Sequence, residues 1–397
     1  MRIRETAGVK RVIPSGIRTF YDKAMKLASK GIDVIDFTLG RPDFKTPPNI
    51  CDAAKKALDL GQVHYTPNPG LIELREAISR KALRDSGQHY HPETEVIVTL
   101  GSCEAIAVAL ATFVSTDDEV IIPSPHWPNY SNLTLMNLGN PVFVPLTPEN
   151  GFRLKATDLK RSITTRTKVL FLNNPHNPTG AVMGEEDLKI IAEIASSHDI
   201  LVIADEVYEK IIFEGAKFIP FASLDEMRER TIWVNSCSKT YSMTGWRIGW
   251  ICAPTALASS MQKVHQQFVT CATSFAQAGA LEALEGPQEI MINMINEFDQ
   301  RRTVLLSESS QIPLIEIIPP QGTFYCFIDI RRLNLGSSEQ VALTLLEEAY
   351  VAVVPGSAFG ESGEGYIRMS FCCSSEKIRE GLRRLKDWIE KKRSHEE

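Results

Sequence analysis

The stretch SCSKTYSMTGWRIGW, Ser236 to Trp250, decides how the rest of the chain is interpreted. It follows residues 231–235, TIWVN, whose β-branched and aromatic side chains predict a buried strand. The stretch supplies serine hydroxyls, the amine of Lys239 and the guanidinium of Arg247. An arginine close to Lys239 would lower the pKa of the amine, and a neutral amine is what imine formation requires. Taken alone, Lys239 would be interpreted as a surface lysine, because most lysines are exposed.

The pattern S-x-S-K, followed by G-x-R-x-G, resembles the cofactor-lysine segment of the class I and II aminotransferases, which are fold-type I enzymes that use pyridoxal 5'-phosphate. The resemblance implies that Lys239 carries the cofactor as an internal aldimine. It also implies that Ser236, Ser238 and Arg247 hold the cofactor phosphate. Hydroxyl donors and a fixed guanidinium fork suit this anion better than a mobile ammonium does.

The resemblance implies an α/β fold, in which a large domain with a mostly parallel sheet flanked by helices is joined to a smaller α+β domain. A chain of 397 residues also exceeds one ordinary core, so two domains are expected from length alone. We expect residues 1–45 to form an N-terminal segment that belongs to the small domain. Residues 46–290 should form the large cofactor-binding domain, and residues 291–397 the small C-terminal domain.

Charge and cysteine usage limit the partners and the compartment. The formal net charge of -6 gives no basic face for a nucleic-acid backbone. The eight cysteines show no C-x-x-C spacing, which is typical of reduced thiols in the cytoplasm. No signal region is apparent and no apolar run approaches the ~20 residues of a membrane span, so we expect a cytoplasmic protein without a membrane partner. His89 and His91 are too few for a metal site, and none is expected.

Two motifs near the N-terminus extend the resemblance. The run GRPDF, residues 40–44, resembles the family segment G-x-P-D-F, which implies that the backbone of Gly40 lies against the substrate. Arg41 is a departure from the residue often found there. Tyr65 opens a Y-x-x-x-x-G-x-x-x-L-R pattern, whose tyrosine reaches the phosphate bound by the other subunit in the family. A homodimer with sites at the interface is therefore implied.

The turn Gly101-Ser102-Cys103 is expected to feed a helix N-terminus after a strand at residues 95–100. Free backbone N–H groups and the positive end of the helix dipole suit a phosphate there. Cys103 departs from the family, and a thiol is a poor donor, so we expect the backbone to make this contact. By resemblance, Trp127 stacks on the pyridine ring of the cofactor and also borders the substrate.

Three further motifs follow in family order. The run NPHNPTG, residues 174–180, resembles a family hallmark in which Asn177 bonds the ring oxygen of the cofactor and borders the substrate. The sequence DEVY resembles the segment in which Asp205 pairs with the pyridine nitrogen and Tyr208 bonds the ring oxygen. Arg368, in the run YIR, resembles the arginine that holds the substrate α-carboxylate in a bidentate way.

Some expectations concern local structure alone. A carboxylate at the end of an apolar strand needs a cation, which favours an inward Asp205, whereas Glu206 is expected to turn outward. Residues 255 to about 285 are expected to form one long helical region. A second helix, from about residue 289 to 307, is expected to connect the two domains.

The ordered motifs imply transamination. An amino group would move from an L-amino acid to a 2-oxo acid, with 2-oxoglutarate as the expected acceptor, in a ping-pong exchange in which Lys239 moves the proton. A C–S β-lyase, or a cyclopropane-carboxylate synthase, is the rival on the same fold. A cofactor-sensing DNA-binding regulator is a rival from another class, but residues 1–30 are too short for its helix-turn-helix domain. Aspartate, alanine and aromatic amino acids remain open as donors.

Overall fold

The computed structural model describes residues 4–213 and 215–394. Within these residues the β-strands are β1 (Ile35–Asp36), β2 (Val96–Thr99), β3 (Glu119–Ser124), β4 (Asn140–Pro145), β5 (Thr167–Asn173), β6 (Leu201–Asp205), β7 (Thr231–Ser236), β8 (Gly249–Cys252), β9 (Glu316–Ile317), β10 (Tyr325–Asp329), β11 (Val351–Ala352), β12 (Val354–Pro355) and β13 (Tyr366–Ser370).

The α-helices in the same described ranges alternate with these strands through most of the chain. They are α1 (Ala7–Arg11), α2 (Gly16–Ala28), α3 (Pro48–Asp59), α4 (Ile72–Ser86), α5 (Ser102–Phe113), α6 (Pro128–Met136), α7 (Ala156–Ser162), α8 (Glu185–Ser197), α9 (Thr255–Phe268), α10 (Ser274–Glu285), α11 (Glu289–Ser309), α12 (Ser338–Ala349) and α13 (Ser375–Arg393).

Seven strands form one large sheet in the order β2-β8-β7-β6-β5-β3-β4. Neighbouring strands are parallel except at β8, which is antiparallel to both β2 and β7. This arrangement confirms the expected α/β fold with a mostly parallel sheet flanked by helices. Because six strands run in the same direction, their carboxyl ends meet at one edge, where ligands of such folds bind.

Alternating residues of the central strands enter two different cores, which explains why these strands are apolar on both faces. Leu170 and Val202 belong to one buried cluster, together with side chains of α7 and α8. Val169 and Ile203 belong to another, together with side chains of α5 and α9. At ~25 cal/mol per Å² of buried apolar surface, these two layers are the main stabilisation of the sheet.

A second sheet, of order β12-β13-β10-β9, is antiparallel and lies in the C-terminal part of the chain. The N-terminal segment contacts this region, because β1 pairs in parallel with β11. The main-chain N–H of Ser370 also donates to the carbonyl of Phe37, at 3.0 Å. Residues close to Gly40 and residues of β13 are therefore held against each other.

Two expectations for helices need correction or adjustment. Residues 255–285 are not one continuous helix, since α9 ends at Phe268 and α10 begins at Ser274. Thr270 lies between them with a φ of +62°, a left-handed conformation that interrupts the helix. The helix expected at residues 289–307 is present as α11 and extends to Ser309.

Candidate active site

The candidate site lies where the carboxyl ends of the large-sheet strands face the antiparallel sheet. Asp205 ends β6 and Ser236 ends β7, and Lys239 follows Ser236 by three residues. Arg368 projects from β13 of the other sheet and is 1% exposed. The structure therefore brings together groups that are far apart in sequence, as the motifs predict.

The amine of Lys239 is held in a mostly apolar surrounding. Its Nζ donates to the carbonyl oxygen of Gly40 at 2.7 Å and lies 5.8 Å from the ring centroids of both Tyr208 and Phe324. The pKa of Lys239 is lowered to about 8, mainly by burial and also by the positive charges of Arg368 and Arg247, while Asp205 opposes this shift. The sequence argument named Arg247 alone, whereas burial is the larger cause.

Asp205 is a fully enclosed carboxylate with hydrogen bonds but without an ion pair among the described residues. Its Oδ2 accepts from the Tyr130 hydroxyl at 2.7 Å, and its Oδ1 accepts from the Val207 N–H at 3.4 Å. Burial raises the pKa of Asp205 to about 6, against the lowering effect of these two hydrogen bonds. A buried carboxylate in this state is suited to a cationic partner brought by a ligand.

Arg368 and Asn177 form the other wall of the site. Nη1 of Arg368 donates to Oδ1 of Asn177 at 3.2 Å, and Nη2 donates to the carbonyl of Thr38. The guanidinium carbon lies 4.3 Å from the centroid of the Tyr325 ring. Nε of Arg368 is buried and has no hydrogen-bond partner among the described residues. Burial lowers the pKa of Arg368 below its usual value, so a carboxylate ligand would restore favourable charge pairing here.

Two tyrosines adjoin these groups. The hydroxyls of Tyr208 and Tyr325 are 3.1 Å apart, and burial raises the pKa of both. Gly40 approaches this pair so closely that a Cβ at position 40 would lie 1.5 Å from the Tyr325 hydroxyl oxygen. Glycine is therefore required for the contact between this backbone and the site.

The beginning of α5 forms a turn that lies beside Arg247. Gly101 precedes the helix with a φ of +78°, and the first N–H groups of a helix have no acceptor within it. Arg247 lies against this turn, with Nη2 donating to the Leu100 carbonyl at 3.1 Å. Ser236 and Ser238 are both buried, and the Ser236 hydroxyl oxygen accepts from the Ser238 N–H at 3.3 Å.

Three residues named from the sequence take less direct positions. Trp127 is half-buried, and its ring meets that of Tyr130 edge-on, with centroids 5.4 Å apart. The Cys103 sulfur accepts from Asn129 at 3.4 Å. Tyr65 is 86% exposed and is not packed against the site of its own chain.

The expectation that Glu206 turns outward is wrong. Glu206 is 1% exposed, and its Oε1 accepts from the Phe221 N–H at 2.9 Å. Burial raises the pKa of this carboxyl well above its usual value. Sequence reasoning also missed Tyr130, which contacts Asp205 directly. The available signal was its spacing, because Tyr130 lies one helical turn after Trp127, at the start of α6.

The comparisons with known proteins agree with this geometry. The family model described as aminotransferase class I and II matches residues 32–385. The chain belongs to this family. It is 42% identical to "Probable aspartate/prephenate aminotransferase" of Aquifex aeolicus, over 98% of this chain and 100% of that protein. It is 40% identical to "Aromatic-amino-acid aminotransferase 2" of Thermococcus litoralis, over 97% of this chain and 98% of that protein.

Among solved structures, aspartate aminotransferase from Thermus thermophilus with maleate superposes with a TM-score of 0.92. The two chains are 35% identical, and the match covers 98% of this chain and 100% of that one. The protein is therefore an aminotransferase, an enzyme that transfers amino groups, and these full-length relatives do not favour the C–S β-lyase. Members of the family use pyridoxal 5'-phosphate. Among the described residues, no helix has the length and apolar character needed to cross a membrane.

Proposed function

We propose that this aminotransferase binds pyridoxal 5'-phosphate through Lys239 and exchanges amino groups between an L-amino acid and 2-oxoglutarate in a ping-pong reaction. The observation that carries the proposal is the placement of Lys239 and Asp205 together at one edge of the sheet, where burial shifts the pKa values of both. The amine of Lys239 has a pKa of about 8, and the buried Asp205 has a pKa of about 6. Groups shifted in this way are typical of catalytic sites.

The residues present fit the cofactor. Asp205 is the buried anion that the protonated pyridine nitrogen needs, and Tyr208 and Asn177 are polar groups suited to its ring oxygen. Trp127 supplies an aromatic face. The phosphate would be held by the N–H groups of Ser102 and Cys103, by Ser236, Ser238 and Arg247, and by Tyr65 of the partner subunit. When bound, the cofactor supplies an electron-withdrawing ring that stabilises negative charge on the substrate Cα.

The chain's own groups perform binding and proton transfer. Arg368 binds the substrate α-carboxylate, with its unpaired Nε among the available donors, while Asn177 fixes the guanidinium from the other side. Lys239, once free of the cofactor, accepts the proton from the substrate Cα. A pKa of about 8 makes proton acceptance possible near neutral pH. The carbonyl of Gly40 supports this role because it holds the amine at 2.7 Å.

The donor is proposed from the relatives. The names of these relatives include aspartate, prephenate and aromatic amino acids, and the Thermus thermophilus enzyme was solved with maleate, a dicarboxylate. We propose aspartate and aromatic amino acids as donors, ahead of alanine. A homodimer is proposed because Tyr65 is highly exposed on its loop, and other large apolar side chains, including Val63 and Phe268, are exposed as well.

The domain division and the compartment are also proposals. Boundaries near residues 45 and 290 are supported by the pairing of β1 with β11, which holds the N-terminal segment against the C-terminal region. A cytoplasmic location is supported by the eight cysteines, which form no disulfide in the described part of the chain.

The test combines cofactor trapping with turnover. Protein saturated with pyridoxal 5'-phosphate should be yellow, and borohydride should fix the cofactor to Lys239 as a stable amine found by peptide mass spectrometry. Lys239→Ala should abolish the adduct and lower kcat by more than about 10³-fold. Lys263→Ala, which removes an exposed lysine of α9, is the matched control and should keep both properties.

Donor specificity is measured with aspartate, phenylalanine and alanine against 2-oxoglutarate. Each donor should require the oxo acid for turnover beyond the first equivalent. Sustained product formation without any oxo acid, or a colourless protein without an adduct on Lys239, would refute the proposal.

A further inference from the structure

A buried histidine and a glutamate connect two parts of the proposed phosphate site. His265, on α9, has a side chain that is 0% exposed. Its Nδ1 lies 2.7 Å from Oε1 of Glu104, and its Nε2 lies 3.0 Å from the carbonyl oxygen of Asn68. The second oxygen of Glu104 accepts from the Leu100 N–H at 2.6 Å. Every polar atom of the two side chains is therefore engaged.

The hydrogen-bond partners determine how many protons the pair carries. A carbonyl oxygen can only accept, so Nε2 of His265 must carry a proton to bond Asn68. The contact between Nδ1 and Glu104 needs a second proton, because an unprotonated nitrogen and a carboxylate oxygen would both be acceptors. Whichever atom holds that proton, the pair has zero net charge: it is an imidazolium with a carboxylate, or an imidazole with a carboxylic acid.

Neutrality matters because of the location of Glu104. This residue is in the first turn of α5, the helix whose N-terminus is expected to receive the cofactor phosphate. A carboxylate in that turn whose charge is not neutralised would repel a phosphate. The same carboxylate also fixes the turn, because it accepts a hydrogen bond from the Leu100 N–H. Arg247 bonds the Leu100 carbonyl, so the peptide groups flanking Leu100 are held from both sides.

The opposite end of the pair holds the loop that carries Tyr65. His265 bonds Asn68, and Nδ2 of Asn68 donates to the Thr270 carbonyl at 2.6 Å. Nε2 of Gln277 donates to the Thr66 hydroxyl at 3.1 Å. The loop is thereby anchored to α9 and α10, while the Tyr65 side chain stays exposed.

We propose that Glu104 and His265 form a positioning pair of zero net charge that fixes the phosphate turn at the start of α5 and anchors the Tyr65 loop. The inference rests on the proposed cofactor. His265 is a positioning residue, since it reaches the phosphate site only through Glu104 and Asn68. The main contribution of His265 is to cancel the charge of Glu104 while Glu104 keeps its hydrogen bond from the Leu100 N–H.

The experiment measures binding of the cofactor to cofactor-free protein by absorbance and fluorescence titration, without turnover. His265→Leu leaves Glu104 charged, so its Kd for pyridoxal 5'-phosphate should rise at least about tenfold. Its Kd for pyridoxal, which lacks the phosphate, should change less than about threefold. The double variant His265→Leu/Glu104→Gln should bind pyridoxal 5'-phosphate at least about threefold more tightly than His265→Leu alone. His198→Leu, at an exposed histidine, is the control.

The single variant Glu104→Gln tests neutrality even if His265→Leu fails to fold. Its amide oxygen can keep the Leu100 bond, so its Kd for pyridoxal 5'-phosphate should stay within about threefold of the wild-type value. Tighter binding beyond that limit would show an anionic pair and overturn the inference. Equal losses for pyridoxal and its phosphate in His265→Leu, or no recovery in the double variant, would also overturn it.

The wild-type titration separates the two proposals. Wild-type protein that binds no pyridoxal 5'-phosphate would overturn the proposed function and this inference together. Normal wild-type binding with an unaltered His265→Leu would overturn the inference alone.

Discussion

The buried carboxyl of Asp205 should make the cofactor-free protein lose stability as the pH rises. Its pKa in the folded protein is about 6, compared with its usual value of 3.8, so the folded state holds this proton more tightly than the unfolded state. The contribution of Asp205 to the free energy of unfolding is then largest below pH 3.8 and falls as the pH rises through about 6. Above that pH the loss is complete.

The shift sets the size of the effect. A difference of about 2 pKa units corresponds to roughly 3 kcal/mol over the whole range, at 1.36 kcal/mol per unit. About 2 kcal/mol of this falls between pH 4.5 and pH 8, because part of the titration takes place below pH 4.5. Asp205 is fully enclosed, so solvent screening does not reduce the figure as it does for a surface group.

The variant Asp205→Asn removes this titration while keeping the shape of the side chain. Urea unfolding of cofactor-free wild-type and variant protein, at one fixed protomer concentration, gives the free energy of unfolding at each pH. The wild-type value minus the variant value should fall by about 2 kcal/mol from pH 4.5 to pH 8. Other titrating groups cancel in this difference. Asp225→Asn, at an exposed aspartate, should show no such trend.

Two outcomes would refute the reasoning. A difference that does not change with pH would mean that Asp205 is not a raised, buried acid in the folded protein. A difference that rises with pH would mean that a cation already pairs with it, which contradicts the hydrogen-bond set of Tyr130 and Val207.

Three further predictions concern neighbouring groups. In cofactor-free protein, the rate at which a small aldehyde and borohydride modify Lys239 should rise with pH through about 8, and the Lys239→Ala variant, which lacks this amine, is the control. Arg368→Lys should raise KM for amino and oxo acids at least about tenfold, because one ammonium cannot bind a carboxylate in two places; steady-state kinetics with both substrates measures it. Gly40→Ala should displace the Tyr325 hydroxyl, lowering stability by about 1–3 kcal/mol in urea unfolding and also lowering kcat/KM.

The fold could be predicted from the sequence because its strands and turns carry strong local signals. The apolar runs of β5, β6 and β7 end in polar residues, and this pattern predicts parallel strands whose carboxyl ends form a site. The motifs predicted Lys239 and Arg368 as site residues, and the structure places them beside two tyrosines, Tyr208 and Tyr325, whose hydroxyls are hydrogen-bonded. The break between α9 and α10 could not be predicted, because the interrupting residues carry neither glycine nor proline.

Contacts between distant segments were harder to predict. Glu206 was expected to turn outward, and alternation of side chains in a strand would place it opposite the inward Asp205. The chain leaves the strand at this point, so that alternation no longer applies, and both carboxyls are buried. The bond from Tyr130 to Asp205 joins residues 75 positions apart, and the pair of His265 with Glu104 joins residues 161 apart. A local pattern can point to one member of such a pair, as the spacing from Trp127 does for Tyr130, but it does not specify the distant partner.

The two shifted groups of the site share one physical cause. Burial raises the pKa of Asp205 and lowers that of Lys239, since it disfavours the charged form of each. The gap between an ordinary aspartate and an ordinary lysine is thereby reduced, from values of 3.8 and 10.5 to about 6 and about 8. A ligand that brings a cation to Asp205 and consumes the neutral form of Lys239 relieves both penalties at once. A cofactor that carries both a basic ring nitrogen and a carbonyl group should therefore gain more binding free energy in this site than a ligand that carries only one of these two groups.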